Sequence, residues 1–191
     1  LRLAAPAGGR KRGWGVVAVG SVLLAFVPAL SGHAWGIEPR LVGVLFSGAH
    51  VLGAGVWMGG LAALLLAGLP GVRGVQTPEG ERSALVTVVE AFSRMALVAV
   101  LVLVAAGVGQ NFFLLGSPGN LVSTGWGRTL LVKLGLLAGA GALGLYNWRV
   151  VRPALRETPR TGLLRIPATV EFLLGLGILA ATAVLVSRAL P

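Results

Sequence analysis

The sequence predicts an all-α integral membrane protein, a bundle of about five transmembrane helices. Three observations carry that expectation. Of the 191 residues, 55% are hydrophobic, and the mean hydropathy is +0.88. The apolar residues gather in long runs separated by short polar or glycine- and proline-containing connections, and a bilayer core takes about 20 apolar residues per helix. A water-soluble enzyme is nearly excluded by this composition. Alternating strand patterns and repeats of about 20–50 residues are absent, which argues against a membrane β-barrel or a solenoid.

Taken in order, the first run covers residues 14–30 and follows the basic stretch Arg10, Lys11 and Arg12. It resembles a signal peptide, but its length and the lack of a small-residue cleavage site favour a retained helix. The second run, 41–69, is interrupted only by Ser47 and His50 and ends at the breaker Pro70-Gly71. After a polar connection over 73–82, residues 83–94 carry Glu90, Ser93 and Arg94 and read as an interfacial lead-in to a third span at 95–115. Turn chemistry in Ser117-Pro118-Gly119-Asn120 separates that span from the fourth, 129–148. A connection rich in arginine, with Arg149, Arg152, Arg156, Arg160 and Arg165, precedes the fifth at 166–186.

The 16 basic residues outnumber the 6 acidic ones, giving a net charge of +10. They punctuate the apolar runs as the positive-inside rule expects, so no nucleic-acid partner is needed to explain them. Counting lysines and arginines by side places the N-terminus in the cytoplasm and the C-terminus outside, with Arg94 snorkelling to the inner side. The chain begins at Leu1, which suggests the C-terminal part of a longer membrane protein. Cysteine is absent, so a soft metal would have to be held by methionine or histidine.

Ionisable side chains within a span are costly and call for a partner or a function. His50 lies ten residues after Arg40, about 15 Å deep at 1.5 Å per residue. Lys133, Glu171 and Asn147 are the other polar residues placed inside spans. On the second span His50, Gly53, Ala54, Trp57 and Leu61 recur at helical spacing, with Met58 two turns beyond the histidine. On the fourth, Lys133, Ala140, Gly141, Gly144 and Asn147 form a second stripe, and both stripes are expected to face the bundle interior. Simpler readings stand beside these. His50 could be a neutral, hydrogen-bonded packing residue; Lys133 could snorkel outward; Glu171 could pair with Arg149 or Arg94. Met58 and Met95 could be plain core residues, and His33 an exposed loop residue. The five tryptophans mostly fall near span ends, as an aromatic belt would, and Trp57 alone invites a functional reading.

The chain resembles the membrane domain of the copper resistance protein D family. The resemblance rests on Ser31-Gly32-His33-Ala34, on His50 followed by Trp57-Met58-Gly59-Gly60-Leu61, and on Phe92-Ser93-Arg94-Met95-Ala96-Leu97. It continues through Gly127-Arg128-Thr129-Leu130-Leu131-Val132-Lys133-Leu134, Asn147 and Glu171. One departure is Ser47, which stands three positions before His50 where family members often carry an acidic residue. The resemblance implies a multi-pass protein of the bacterial inner membrane that moves copper, as Cu(I) or Cu(II), towards the cytoplasm. Besides lipid, its partners would include a periplasmic copper-binding protein. Metal ligands are then expected at His33, His50 and Met58, with Trp57, Arg94, Lys133, Asn147 and Glu171 along a polar path or in structural roles, and no catalysis.

A second resemblance, to the membrane protoporphyrinogen oxidase group, rests on the His50-to-Leu61 stretch and on Leu131-Val132-Lys133-Leu134. It implies haem b on His50 and a carboxylate on Lys133. A third reading is an accessory or assembly subunit of a larger membrane complex.

Overall fold

The computed structural model describes residues 7–30, 37–157 and 161–190. His33 and Trp35 lie outside the described residues. The described chain is helices joined by short turns, with no strand among the described residues, and five segments are long and apolar enough to cross a membrane: Gly13–Leu30, Arg40–Arg73, Pro78–Leu114, Gly125–Leu155 and Gly162–Ser187. The expected fold class holds, and the second to fifth segments each run past the expected bounds at one end or both.

Helix α1 (Ala7–Phe26) continues into a 3-10 turn at Val27–Leu30 and packs against α2 (Arg40–Ala63). The second span does not stop at Pro70-Gly71. A π-helical turn at Leu64–Gly68 leads into α3 (Leu69–Arg73), whose first turn contains Pro70. Pro70 has no N–H to donate and its ring crowds the turn before it; the π-helical turn directly preceding it, in which the Leu69 N–H bonds the Leu64 carbonyl, lets the helix run on past it.

The expected lead-in and third span form one continuous helix, α4 (Pro78–Leu114). Its start carries several signals at once. Thr77 caps it by accepting from the Gly80 amide at 3.2 Å, Pro78 occupies the first turn, and Glu79 and Glu81 face the positive end of the helix dipole. With 37 residues it is about 55 Å long, well beyond the roughly 30 Å hydrocarbon core. Its charged first turns therefore project past the apolar zone or the helix tilts.

The connection to the fourth span holds a positive-φ glycine, Gly116 at 68°, and the single turn α5 (Asn120–Ser123). Helix α6 (Gly125–Tyr146) is capped by Thr124, which accepts from the Gly127 amide at 2.9 Å. A second π-helical turn, Asn147–Val151, joins α6 to α7 (Arg152–Glu157), and α8 (Thr161–Ser187) closes the bundle.

Helix α2 packs chiefly on α4, α6 chiefly on α8, and α2 also touches α8. In lipid, helices associate through close packing rather than hydrophobic exclusion, so small residues set the contacts. At Gly53 a Cβ would sit 2.7 Å from the Ala99 carbonyl oxygen and 2.9 Å from Leu103, so only glycine lets α2 approach α4 this closely. Three apolar layers result. One end holds Leu61, Leu64, Leu85, Val89, Val151 and Leu155; the middle holds Trp57, Ala99, Leu103, Ala140 and Ile178; the other end holds Trp126, Leu130 and Leu185. Outward-facing residues such as Leu97, Leu101, Val108 and Leu173 are exposed to what would be lipid.

The interior stripes are partly as expected. On α2, Gly53, Trp57 and Leu61 are buried. On α6, Ala140 is buried, but a Cβ at Gly141 or Gly144 would meet open space. The inward arc of α6 is therefore narrower than its run of small residues suggests. Of the described tryptophans, Trp14 and Trp148 are exposed, whereas Trp57 is buried in the middle layer and Trp126 in the layer with Leu130 and Leu185.

Candidate functional site

Two polar clusters lie between the three apolar layers. The first is built around His50 on α2. Its Nδ1 lies 2.8 Å from the backbone carbonyl oxygen of Leu103 on α4. A carbonyl can only accept, so Nδ1 carries the ring proton and the neutral imidazole presents a lone pair at Nε2. That lone pair faces Lys133 of α6, whose Nζ is 3.4 Å away and donates to it. Lys133 is turned into the bundle, not out towards an interface. The ring also has a backstop: a Cβ at Gly107 of α4 would lie 2.9 Å from His50 Nδ1 and 3.0 Å from Cε1. The imidazole thus sets its Nδ1–Cε1 edge against Gly107 while a carbonyl fixes its tautomer.

The Leu103 carbonyl is normally committed to its own helix. Carbonyl oxygens have two lone pairs, so it can take the imidazole N–H in addition to an intrahelical bond. No side-chain pattern marks such an acceptor, and sequence inspection does not single it out. Gly107 and Gly109 are the nearest signal, since small residues in a valine-rich helix indicate close approach of a bulky neighbour. The neighbours are His50 at Gly107 and Phe46 at Gly109.

The second cluster is centred on Glu171 of α8, which is 7% exposed. The Trp57 indole Nε1 donates to Oε1 at 3.1 Å, and the Asn147 amide Nδ2 donates to Oε2 at 3.3 Å. Trp57 itself is 3% exposed, so the indole serves as both packing block and donor. Asn147 opens the π-helical turn, and such turns re-aim side chains that a regular helix would direct elsewhere. Its Oδ1 is buried with no partner among the described residues. The alternative expectation of an ion pair between Glu171 and Arg149 or Arg94 is not met. Among the described residues, Glu171 is held by two neutral donors. Arg94 is exposed and donates to the Glu90 carbonyl of its own helix at 3.4 Å, while Arg149 is exposed at the surface. The ion pair at this level is instead Arg152 with Glu90, at 3.2 Å.

Trp57 lies seven residues after His50, so the two clusters are separated by about 10 Å along α2. Met58 is on the same stretch, with its thioether packed on Gly175 of α8, one turn from Glu171. A Cβ at Gly175 would collide with the Met58 sulfur, so the glycine makes room for it. Met95 packs likewise on Gly60. His50 and Met58 are thus not ligands of a shared position; they are about 12 Å apart along the helix. Among the described residues no three His, Cys, Asp or Glu side chains converge as a metal-binding group.

Chemically, the first cluster offers one oriented imidazole nitrogen beside a primary amine. The second offers a carboxyl group with two neutral donors and one orphaned amide oxygen. Both are embedded where a buried polar group without partners is costly.

A profile of the copper resistance protein D family matches residues 86–185. The chain is 32% identical over 168 residues to a protein named copper transport protein CutJ, from Bacillus subtilis (strain 168). That alignment takes in 88% of this chain and 29% of the relative, so the chain spans less than a third of the relative's length. No solved structure matches.

Proposed function

The chain belongs to the copper resistance protein D family, and we propose that it moves copper ions across a bacterial cytoplasmic membrane through the interior of its helix bundle. The observation that supports this reading most is the oriented Nε2 of His50, half-buried between α2, α4 and α6. A soft monovalent ion takes imidazole and thioether ligands, and a conducted ion needs stations that bind weakly enough to release it. His50 is the first station within the described residues. His33, outside them, is proposed as the capture point on the outer side, where a periplasmic copper-binding partner would deliver the ion. Met58, about 12 Å further along α2, offers a thioether beside the second polar cluster. Glu171 and Asn147 then supply the oxygens of a vestibule towards the cytoplasm. The proposed orientation, N-terminus inside and C-terminus outside, is the one the arginine distribution favours.

The ion enters and leaves unchanged in this scheme, so no redox step and no catalysis are required. The test is copper accumulation in cells expressing the wild type or His50→Ala, together with metal content and visible absorption of the purified proteins. Copper accumulation that depends on His50, without a Soret band, supports the proposal. Unchanged accumulation in His50→Ala would overturn it, and a Soret band lost with His50 would establish the haem reading in its place.

A further inference from the structure

We propose that Lys133 is a tethered competitor for the copper station: its side-chain amine occupies the same His50 lone pair that a metal ion must use. The inference rests on the reading of His50 as a metal station and adds a gate to it. An imidazole has two nitrogens, and here both are committed. Nδ1–H donates to the Leu103 carbonyl at 2.8 Å, and Nε2 accepts from Lys133 Nζ at 3.4 Å. A metal ion binds through an unprotonated ring nitrogen, so only Nε2 is available to it, and Lys133 stands on that side.

The ring cannot avoid the competitor by moving. On its Nδ1 edge the Gly107 backbone is close enough that even one added carbon would have to displace the imidazole, and the bond to the Leu103 carbonyl pins its orientation. Lys133, in contrast, is joined to α6 by a flexible four-carbon stem. It is only partly buried, and Gly125, at the start of α6, is two turns away. The Lys133 side chain is therefore the moving part. Outward rotation would carry Nζ towards the bundle end and uncover Nε2, and return of the amine to Nε2 would favour release of the ion. A resting site whose lone pair is already taken by the protein's own amine also disfavours adventitious cations.

The competition can be read directly, because the chain contains two histidines and two lysines in all. Protein with 15N-labelled histidine and lysine, carrying His33→Ala and reconstituted in lipid nanodiscs, has one histidine to observe. Titration with Ag(I), a closed-shell monovalent probe for Cu(I), follows metal binding at that residue. Lys133→Leu removes the amine without adding a metal ligand, and Lys133→Gln serves if that variant does not fold. The expected result is at least tenfold tighter Ag(I) binding in the lysine variant, abolished by adding His50→Ala. In the protein that retains Lys133, its Nζ resonance should shift in step with metal occupancy at His50.

Equal affinity with and without the amine, with binding still dependent on His50, would overturn the competition and leave His50 as a station. Weaker binding in both lysine variants would overturn it as well, by making the amine an organiser of the site. If Ag(I) never reaches His50 in any of these proteins, the competition and the metal station fall together.

Discussion

Substituting Gly107 by alanine is the sharpest test of how the His50 site is built. The new Cβ would lie 2.9 Å from Nδ1 and 3.0 Å from Cε1 of the imidazole. Carbon contacts settle near 3.5–4.0 Å, so ring and helix must separate by about 0.5 Å or more. The ring starts from a 2.8 Å bond to the Leu103 carbonyl. A shift of that size takes the bond beyond the range in which N–H···O contacts are strong. Overpacking costs roughly 1–3 kcal/mol, and a weakened buried hydrogen bond adds about 1 kcal/mol. On the scale of soluble domains of this size, each kcal/mol lowers Tm by roughly 2–4 °C. The assay pairs thermal unfolding in detergent with the 15N spectrum of His50, which reports the tautomer. Gly109→Ala is the control, since its Cβ on α4 would meet first the Phe46 ring of α2 and not the imidazole. The expected outcome is loss of the single Nδ1–H tautomer and of copper uptake in Gly107→Ala but not in Gly109→Ala. A Gly107→Ala protein with an unaltered His50 spectrum and normal uptake would refute the account of the ring as pinned between glycine and carbonyl.

Two further predictions address the Glu171 cluster and the thioether beside it. Trp57→Phe keeps most of the packing but removes one of the two donors to the buried Glu171; a cost of about 1–3 kcal/mol is expected in unfolding assays, and Glu171→Gln should relieve much of it if the carboxylate's charge causes the penalty. Met58→Leu conserves apolar volume against Gly175, so stability should change by less than about 1.5 kcal/mol, while copper uptake falls if the thioether is a station; uptake at the wild-type rate would remove Met58 from the path.

Much of the architecture was legible in the residues. Five apolar segments, their order and the inward face of the second span follow from hydropathy and from the spacing of His50, Gly53, Trp57 and Leu61. What hydropathy could not place were the ends. The charges at Glu90 and Arg94 look like a span boundary, yet the cap at Thr77 and the acidic first turn sustain one helix from Pro78 to Leu114. Likewise Pro70-Gly71 looks like a stop, but the π-helical turn at Leu64–Gly68 accommodates the proline and the helix continues to Arg73. The run of small residues on α6 suggested a broad interior stripe, whereas only part of it is covered, because α8 contacts a narrow arc.

The candidate site divides in the same way. That His50, Lys133, Asn147, Trp57 and Glu171 matter could be read from the cost of placing such groups in a membrane. Which of them meet could not. His50 and Lys133 are 83 residues apart in sequence, Trp57 and Glu171 are 114 apart, and nothing in the local pattern pairs them. The sequence by itself determined the solvent this protein folds in, the number of its spans and the short list of groups that must find partners. Tertiary packing alone decided the pairings: which lysine covers which ring nitrogen, that a main-chain carbonyl fixes the tautomer, and that a glutamate is held by an indole and an amide rather than by an arginine. The physical reason is that burial cost belongs to a single residue and is written in its side chain. A hydrogen bond needs two groups brought within about 3 Å, and that distance is set by the close approach of helices at glycines such as Gly53, Gly107 and Gly175.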